Sequence, residues 1–329
     1  MNSEYLMDYL DWPDLVRAAL STEPANAEPL RKPPEGVAVL GMGGSGIVGD
    51  VLQSMSAERF DAPLVVIKDF RLPRWVDRDW LVLAVSYSGD TMETLTCLQE
   101  ALSRGVKAAV VASGGMMMEL SVSNRLPHFR IPPGRTPRSS FPALLLGALK
   151  LLSKLGVELE GMDAHELLKS LEGSDALKAG GELAVRLHGR MPVFISNVRY
   201  YPLALRAKDE FNENAKTVAK AEVYPEGFHN DVVGWEGWFG PVSAVIFREV
   251  GDYTLEFLEE LLKSAGVSLT VYEISGDYVS NIIKWSQILG IASVETALRR
   301  GLNPRETKHI TRYKEFLRKC GRTKPLGQG

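Results

Sequence analysis

Residues 81–95 of the chain read LVLAVSYSGDTMETL: an uninterrupted apolar run, a polar turn and then an amphipathic pattern. The apolar run predicts a buried strand, and the pattern after the turn predicts a helix. Ser86, Ser88 and Thr91 place three hydroxyls in the turn, where the first N–H groups of the helix also point. The segment therefore predicts a site for a phosphorylated small molecule, the alternative being a polar turn in which Asp90 or Thr91 only caps the helix.

A second strand, loop and helix are predicted upstream, in GVAVLGMGGSGIVGD at residues 36–50. Its glycines come close to a dinucleotide-binding fingerprint but depart from its spacing, although Asp69 stands where such a fold carries an acidic residue. One loop rich in glycine and a second rich in Ser and Thr instead predict a sugar phosphate across the carboxyl ends of neighbouring strands. Gly44 and Ser45 are the candidate ligands in the first loop, and a nucleotide site remains the alternative.

The order of the predicted elements is that of a doubly wound α/β fold in two halves. We predict an N-terminal subdomain over residues 1–155 and a C-terminal subdomain over 156–329, each a mainly parallel sheet flanked by helices. A long helix is expected at 166–189, and the first strand after it is followed only by Ser196 and Asn197, so one phosphate site per chain is expected. Strands are predicted near residues 37–41, 64–67, 81–86, 107–111, 128–131, 192–196, 221–224, 242–247 and 268–273.

The motif GMGGSG, followed about forty residues later by SYSGDT, resembles the sugar isomerase (SIS) domain, a doubly wound fold that binds phosphosugars. FNENAK at 211–216, PEGFHNDVVGW at 225–235 and PRSSFPALLLG at 137–147 are similar to the archaeal type of bifunctional phosphoglucose/phosphomannose isomerases. The resemblance covers nearly the whole chain. It implies reversible isomerisation of glucose 6-phosphate and mannose 6-phosphate to fructose 6-phosphate through a cis-enediolate, with neither a metal nor another cofactor.

The composition allows such an enzyme and excludes several other classes of protein. The 329 residues are 45% hydrophobic and 24% charged, which suits a globular chain of two domains. A net charge of −3 gives no basic footprint for nucleic acid or membrane surfaces. Two cysteines suggest neither a disulfide framework nor a thiolate metal site, and no apolar run has the length of a signal or a membrane span. We expect a cytoplasmic protein with small-molecule partners.

An aldose–ketose isomerase needs a base that moves a proton between C1 and C2, a group that opens the sugar ring, and positive charge near the enediolate oxygens. The resemblance implies that Glu213 is the base and that Arg138 stabilises the enediolate. It also implies that His229 opens the ring and reaches the site from the neighbouring subunit of a homodimer. Arg135, three residues before Arg138, is the rival arginine.

The C-terminal segment RGLNPRETKHITRYKEFLRK at 300–319 carries the remaining candidates. Family members have a Gly-x-Asp-Pro turn before a short helix with a lysine that helps ring opening or proton transfer, whereas this chain has Asn303 in place of the Asp. Alignment on the turn selects Lys314, and distance from the catalytic glutamate favours Lys308. Thr307 lies seven residues before Lys314, so the two are expected on one helix face. The family's Thr leaves room for rotation about C2–C3 of the intermediate.

Two other functions stay open at this point. One is another SIS-family sugar-phosphate isomerase, and the other is a non-enzymatic sugar-phosphate sensor. Sensors of that kind carry an N-terminal helix-turn-helix, whereas the forty or so residues before the first predicted strand are rich in proline and poor in positive charge.

Overall fold

The computed structural model describes residues 4–159, 162–173 and 175–321. The chain divides into two compact units, each with one parallel sheet. We call them the sheet-A unit, Asp14–Gly161 with Glu306–Gly329, and the sheet-B unit, Met1–Pro13 with Met162–Arg305. The predicted α/β class with two parallel sheets flanked by helices is confirmed.

Sheet A has five parallel strands in the order β2-β1-β3-β4-β5. In its register Val37 is paired with Leu64 on one side and with Leu81 on the other. All five predicted strands of this half are present. In chain order, the helices and strands of the N-terminal half of the chain are α1 Glu4–Leu10, α2 Trp12–Ser21, β1 Val37–Leu40, α3 Gly43–Arg59, β2 Leu64–Ile67, β3 Leu81–Ser86, α4 Met92–Ser103, β4 Lys107–Ala112, α5 Gly115–Ser123, β5 His128–Arg130 and α6 Phe141–Lys154.

Sheet B has four parallel strands in the order β7-β6-β8-β9, the same arrangement with one strand fewer. The four predicted strands of this half are present as well. In chain order, the helices and strands of the C-terminal half of the chain are α7 Ala164–Glu172, α8 Ala176–Leu187, β6 Met191–Asn197, α9 Tyr201–Glu213, β7 Lys220–Tyr224, the 3₁₀ turn η1 Glu226–His229, the short helix α10 Asp231–Gly234, β8 Val242–Glu249, α11 Tyr253–Ser264, β9 Ser268–Ile274, α12 Tyr278–Arg299 and α13 Lys308–Gly321.

The central strands are buried throughout, as their uninterrupted apolar runs predict. Every residue of β1 and of β3 is buried, because helices cover both faces of a parallel sheet. Among the described residues, no helix combines the length and the apolar character that crossing a membrane requires.

The single long helix predicted over residues 166–189 is wrong, because two helices, α7 and α8, occupy that stretch. Gly173 follows the last residue of α7. The carboxylate of Asp175 then accepts a hydrogen bond from the backbone N–H of Lys178 and caps α8. The glycine and the capping aspartate inside the apolar period are the signals that the prediction passed over.

The terminal segments belong to different units from those in the predicted division. The N-terminal helix α1 packs on α12 and belongs to the sheet-B unit. The C-terminal helix α13 belongs to the sheet-A unit, where the Tyr313 hydroxyl donates a 2.9 Å hydrogen bond to the Glu93 carboxylate of α4. Each unit is therefore built from two separate stretches of chain.

Candidate active site

The strand order of sheet A creates a crevice at the ends of β1 and β3. The chain winds outward from β1 to one side and from β3 to the other, and ligands of open α/β sheets bind at such a switch point, beyond the carboxyl ends of the strands. The glycine-rich loop after β1 and the Ser/Thr loop after β3 are the two loops that flank it. Both sequence-predicted phosphate loops therefore lie at the edge where this fold binds ligands.

The Ser/Thr loop keeps its hydroxyls within the loop. The Ser86 and Thr91 hydroxyls are 2.9 Å apart and hydrogen-bonded, and Ser86 Oγ also accepts from the N–H of Gly89 at 3.2 Å. Thr91 is the N-cap residue of α4, yet within the described residues its side chain makes no capping bond. Ser88 Oγ, which is half-buried, accepts from the N–H of Asp90 at 3.3 Å. The first N–H groups of α4 are thus not capped by the Thr91 hydroxyl.

The acidic residue of this loop is held by a different helix. The Asp90 carboxylate accepts a 2.9 Å hydrogen bond from the N–H of Met116, in the first turn of α5. Gly89 makes that arrangement sterically possible, because it has φ +73° and a Cβ there would lie 1.9 Å from the carbonyl oxygen of Gly114. Thr91 occupies the N-cap position of α4, as the alternative predicted, but among the described residues neither its side chain nor that of Asp90 caps the helix.

The two loops contact each other and the segment that carries Arg138. Ser45 Oγ accepts a 3.1 Å hydrogen bond from the N–H of Tyr87, which joins the start of α3 to the end of β3. A Cβ on Gly44 would lie 3.2 Å from the backbone nitrogen of Arg138, so glycine permits this close backbone approach. Three chain segments, after β1, after β3 and before α6, meet here.

Tyr87 is a residue of this site that the sequence reasoning missed. Its hydroxyl accepts a 2.8 Å hydrogen bond from the N–H of Arg135 and donates to the carbonyl oxygen of Pro132 at 3.2 Å. It thereby fixes the loop that leads to Arg138, which is only 6% exposed, whereas Arg135 is half-buried. The signal was its place between the two serines of SYSGDT.

Glu213 is the last residue of α9, as predicted, and is half-buried. The Lys216 ammonium donates a 2.6 Å hydrogen bond to the Glu213 carbonyl oxygen. Glu210, one turn earlier, is buried, and its carboxylate is paired with Arg206 at 2.6 Å. Its carboxylate is therefore already engaged, which leaves Glu213 as the more accessible of these two carboxylates.

His229 ends the η1 turn and is exposed in the single chain. The turn is followed by Asp231, whose carboxylate accepts hydrogen bonds from the Tyr224 hydroxyl at 2.8 Å and from the Trp235 indole N–H at 3.0 Å. Lys220 also pairs with this carboxylate. Asp231 thus links Tyr224, before His229, to Trp235, after it. Sequence reasoning missed this role, and the only signal for it was the position of Asp231 in the motif PEGFHND.

The C-terminal candidates lie on or beside α13 in the sheet-A unit. Lys314 is an exposed residue of α13. Thr307 precedes the first helical residue, and its carbonyl oxygen accepts from the N–H of Thr311, so it lies at the N-terminal boundary of the helix; a shared face with Lys314 stays a prediction. Lys308, the rival lysine, is exposed and lies 3.5 Å from the Glu306 carboxylate.

Comparison with known proteins gives the relationship. The bacterial phospho-glucose isomerase C-terminal SIS domain matches residues 178–317. The bifunctional phosphoglucose/phosphomannose isomerase of Aquifex aeolicus is 35% identical over 300 residues, which cover 87% of this chain and 92% of that protein. This chain belongs to the bifunctional phosphoglucose/phosphomannose isomerase family.

The resemblance seen in the motifs is thereby confirmed. A relative with a different name, the D-glucosamine-6-phosphate 4-epimerase of Sulfolobus acidocaldarius, is 30% identical over 93% of this chain and 96% of its own length. A solved structure, that of a hypothetical protein from Thermus thermophilus, superposes with a TM-score of 0.72 over 96% of this chain and 90% of its own at 18% identity, which shows the fold alone.

The second switch point of this family member, between β6 and β8, carries acidic side chains in place of a phosphate loop. The Asn197 amide donates to the Glu249 carboxylate at 2.7 Å and to the Asp252 carboxylate at 3.1 Å. The mouth of this crevice therefore holds two carboxylates and a cation, since the Arg199 guanidinium lies 3.9 Å from the Glu249 carboxylate. The expectation of one phosphate site per chain stays a prediction.

The predicted site residues of this isomerase-family chain fall into two groups. The sheet-A unit brings together the loops with Gly44, Ser45, Ser86, Ser88 and Thr91 and the segment with Arg138, and α13 with Thr307 and Lys314 belongs to the same unit. Glu213 and His229 belong to the sheet-B unit. Among the described residues, no cluster of three or more His, Cys, Asp or Glu side chains has the arrangement of a metal site.

Proposed function

We propose that this protein catalyses the reversible isomerisation of glucose 6-phosphate and mannose 6-phosphate to fructose 6-phosphate, through a cis-enediolate and with neither a metal nor another cofactor. The observation that carries the proposal is the contact of the two switch-point loops with the Arg138 segment. There a helix start, three hydroxyls and a buried arginine fit an anionic sugar derivative. Membership of the family supplies the reaction.

The phosphate binds to the loops of the sheet-A unit. Ser86, Ser88 and Thr91 supply hydroxyl donors, and Gly44 and Ser45 lie at the start of α3, where backbone N–H groups and the helix dipole favour an anion. The phosphate stays unchanged throughout the reaction, so these contacts hold substrate and transition state equally. Their contribution is to affinity and orientation.

The proton transfer belongs to Glu213. Its carboxylate removes the proton from C2 of the open-chain aldose, the proton exchanges in part with solvent while it is on the carboxylate, and the carboxylate then delivers a proton to C1 while another passes between the two oxygens. Arg138 holds the negative charge of the cis-enediolate, because a buried guanidinium stabilises an oxyanion better than water does. His229 and Lys314 open the sugar ring, because an imidazole can donate a proton to one oxygen and accept one from another, and an ammonium can donate one.

Both aldoses reach one intermediate. Glucose 6-phosphate and mannose 6-phosphate differ only at C2, the carbon that becomes planar in the enediolate. Rotation about C2–C3 presents the other face of this carbon to the same base, and Thr307, a short side chain, leaves space for the rotation. The two activities therefore need one set of catalytic residues.

A homodimer completes the site, with His229 reaching the partner's substrate. The support is that His229 is exposed and borders a surface with large apolar side chains. Phe228 packs on Phe257, which is 57% exposed, and in the same unit Val233 and Phe239 are 58% and 89% exposed. Exposed apolar side chains of this size are typical of a protein interface. We place the enzyme in the cytoplasm, in glycolysis and gluconeogenesis.

The test is turnover by the purified protein. Glucose 6-phosphate and mannose 6-phosphate are each supplied, and fructose 6-phosphate is measured by a coupled assay. Glucosamine 6-phosphate is the third substrate, because epimerisation at C4 is the activity in the name of one relative. Conversion of both hexose phosphates supports the proposal. C4 epimerisation alone, or binding of phosphosugars without turnover of any, refutes it.

A further inference from the structure

We propose that Tyr9, from the N-terminal helix α1, is a positioning residue for the isomerase reaction. Its hydroxyl, together with Glu210 and Asn214, fixes the end of α9 and so holds the backbone that carries the Glu213 carboxylate. The inference rests on the proposed function, since it concerns the placement of the proposed base. It assigns a positioning role to the N-terminal segment, which lies more than thirty residues before the first active-site motif in the sequence.

The residue next to the base is anchored through its side chain. Asn214 is fully buried, and its backbone N–H donates to the Glu210 carbonyl oxygen at 2.8 Å. Its amide Nδ2 lies 2.7 Å from Glu210 Oε2, 2.9 Å from Ser293 Oγ and 3.1 Å from the Tyr9 hydroxyl. An amide has only two hydrogens, so these partners share them. Asn214 is thus held to three different helices, α9, α12 and α1.

The Glu210 carboxylate is the centre of this network. Arg206 donates to its Oε1 at 2.6 Å, and the Tyr9 hydroxyl donates to its Oε2, also at 2.6 Å. Arg206 and Glu210 are both within 2% of full burial, and the Arg206 guanidinium lies 5.7 Å from the Trp12 ring. A buried ion pair stays charged only if its remaining hydrogen-bonding positions are filled. The Tyr9 hydroxyl and the Asn214 amide supply the hydrogen bonds to the second carboxylate oxygen, Oε2.

Tyr9 is locked in its place by the neighbouring helix. Its side chain is fully buried, and the Gln287 amide donates to its carbonyl oxygen at 2.8 Å. The ring lies against Gly290, where a Cβ would come within 2.0 Å of it. The glycine therefore makes room for this ring, and the hydroxyl reaches Glu210 with little freedom to move.

The backbone on the other side of Glu213 is held as well. Lys216 donates to the Glu213 carbonyl oxygen at 2.6 Å, and Arg300 donates to the Ala215 carbonyl oxygen, also at 2.6 Å. The Arg300 guanidinium also reaches Thr217 Oγ1 at 2.7 Å. Glu213 is consequently a half-buried residue between two anchored stretches. A catalytic base must be placed within about 0.5 Å of its productive position relative to the carbon that it deprotonates. Loss of this anchoring should therefore lower kcat.

The experiment is a double-mutant cycle on the full chain. Tyr9→Phe removes only the hydroxyl and keeps the ring on Gly290. We expect kcat to fall about tenfold with KM within about twofold, because the phosphate contacts are untouched and only the aim of the base changes. Tyr278→Phe is the matched control: it is a buried tyrosine of the same unit whose hydroxyl donates to a backbone carbonyl, that of Arg199, at 3.0 Å.

The cycle distinguishes positioning from general loss of stability. In a Glu213→Gln background, Tyr9→Phe should have no further effect on kcat, because it acts through the carboxylate that is already gone. Ser293→Ala, a milder change in the same network, should lower kcat in the same direction. An unchanged kcat in Tyr9→Phe, an equal loss in Tyr278→Phe or an equal further loss in the Glu213→Gln background overturns the positioning role. A Glu213→Gln enzyme with unchanged kcat instead overturns the proposed function itself, and the positioning role with it.

Discussion

Replacement of Ser88 by Ala separates phosphate binding from every other task of the Ser/Thr loop. The Ser88 hydroxyl is half-buried and accepts a weak 3.3 Å hydrogen bond from the N–H of Asp90, within its own turn. Ser86, by contrast, is 1% exposed and bonded to Thr91 and Gly89. Ser88→Ala should therefore leave the fold intact, whereas Ser86→Ala should also lower the free energy of unfolding by about 1 kcal/mol.

The expected kinetic effect follows from the charge of the ligand. A hydrogen bond to a charged group contributes about 1.5–3 kcal/mol. At about 1.4 kcal/mol per factor of ten, its loss raises KM roughly 10- to 140-fold. The phosphate contact is the same in the ground and transition states, so kcat should stay within about tenfold. Steady-state kinetics on both hexose phosphates give KM and kcat, and thermal unfolding gives the change in stability.

Ser123→Ala is the matched control for this measurement. Its exposed hydroxyl donates to the Leu120 carbonyl within α5 and accepts from the exposed Asn124 amide at 3.3 Å, away from the proposed phosphate loops, so KM and the unfolding midpoint should both stay close to the parent values. An unchanged KM in each of Ser86→Ala, Ser88→Ala and Thr91→Ala would show that this loop does not bind the phosphate. A fall of kcat with an unchanged KM in Ser88→Ala would give the hydroxyl a role in the chemistry.

Three further predictions concern other parts of the molecule. Glu210→Gln removes the charged carboxylate that lies 2.6 Å from the buried Arg206 guanidinium, so denaturant unfolding should show that the free energy of unfolding falls by about 3–5 kcal/mol. A fall below about 1 kcal/mol would refute the ion-pair account. Thr307→Gln should lower turnover of mannose 6-phosphate more than that of glucose 6-phosphate; equal losses would count against its proposed place. Burial raises the pKa of the Cys97 thiol to about 12, so at pH 8 a thiol reagent should modify Cys97 only after denaturation. The partly exposed Cys320 should react first, and rapid modification of Cys97 in the native protein would contradict its burial.

The strands and the phosphate loops could be predicted because their signals are local. Apolar runs such as LVLAVS are bounded by Gly, Ser and Pro, and a parallel sheet covered on both faces needs such runs. The position of Glu213 at the end of a helix followed in the same way from the helical period of α9. The two helices α7 and α8 were merged because the apolar period carries on across Gly173 and Asp175.

Long-range partners could not be predicted, because no local pattern encodes them. The bond between Tyr9 and Glu210 joins residues 201 positions apart, and that between Tyr313 and Glu93 joins residues 220 positions apart. For the same reason the division into units differs from the predicted one at both ends of the chain. Tyr87 was within a recognised motif, but its contact with the Arg135 segment depends on how the loops meet in the fold.

The most direct test of the account is hydrogen exchange during turnover of fructose 6-phosphate in heavy water. The parent protein should yield both glucose 6-phosphate and mannose 6-phosphate with deuterium at C2, because one base reprotonates either face of the enediolate. The Glu213→Gln variant keeps the side-chain shape without its basicity, so it should bind phosphosugars normally and exchange at least about 10²–10⁴-fold more slowly. Exchange by this variant at more than about a tenth of the parent rate, or products without deuterium, would contradict the account.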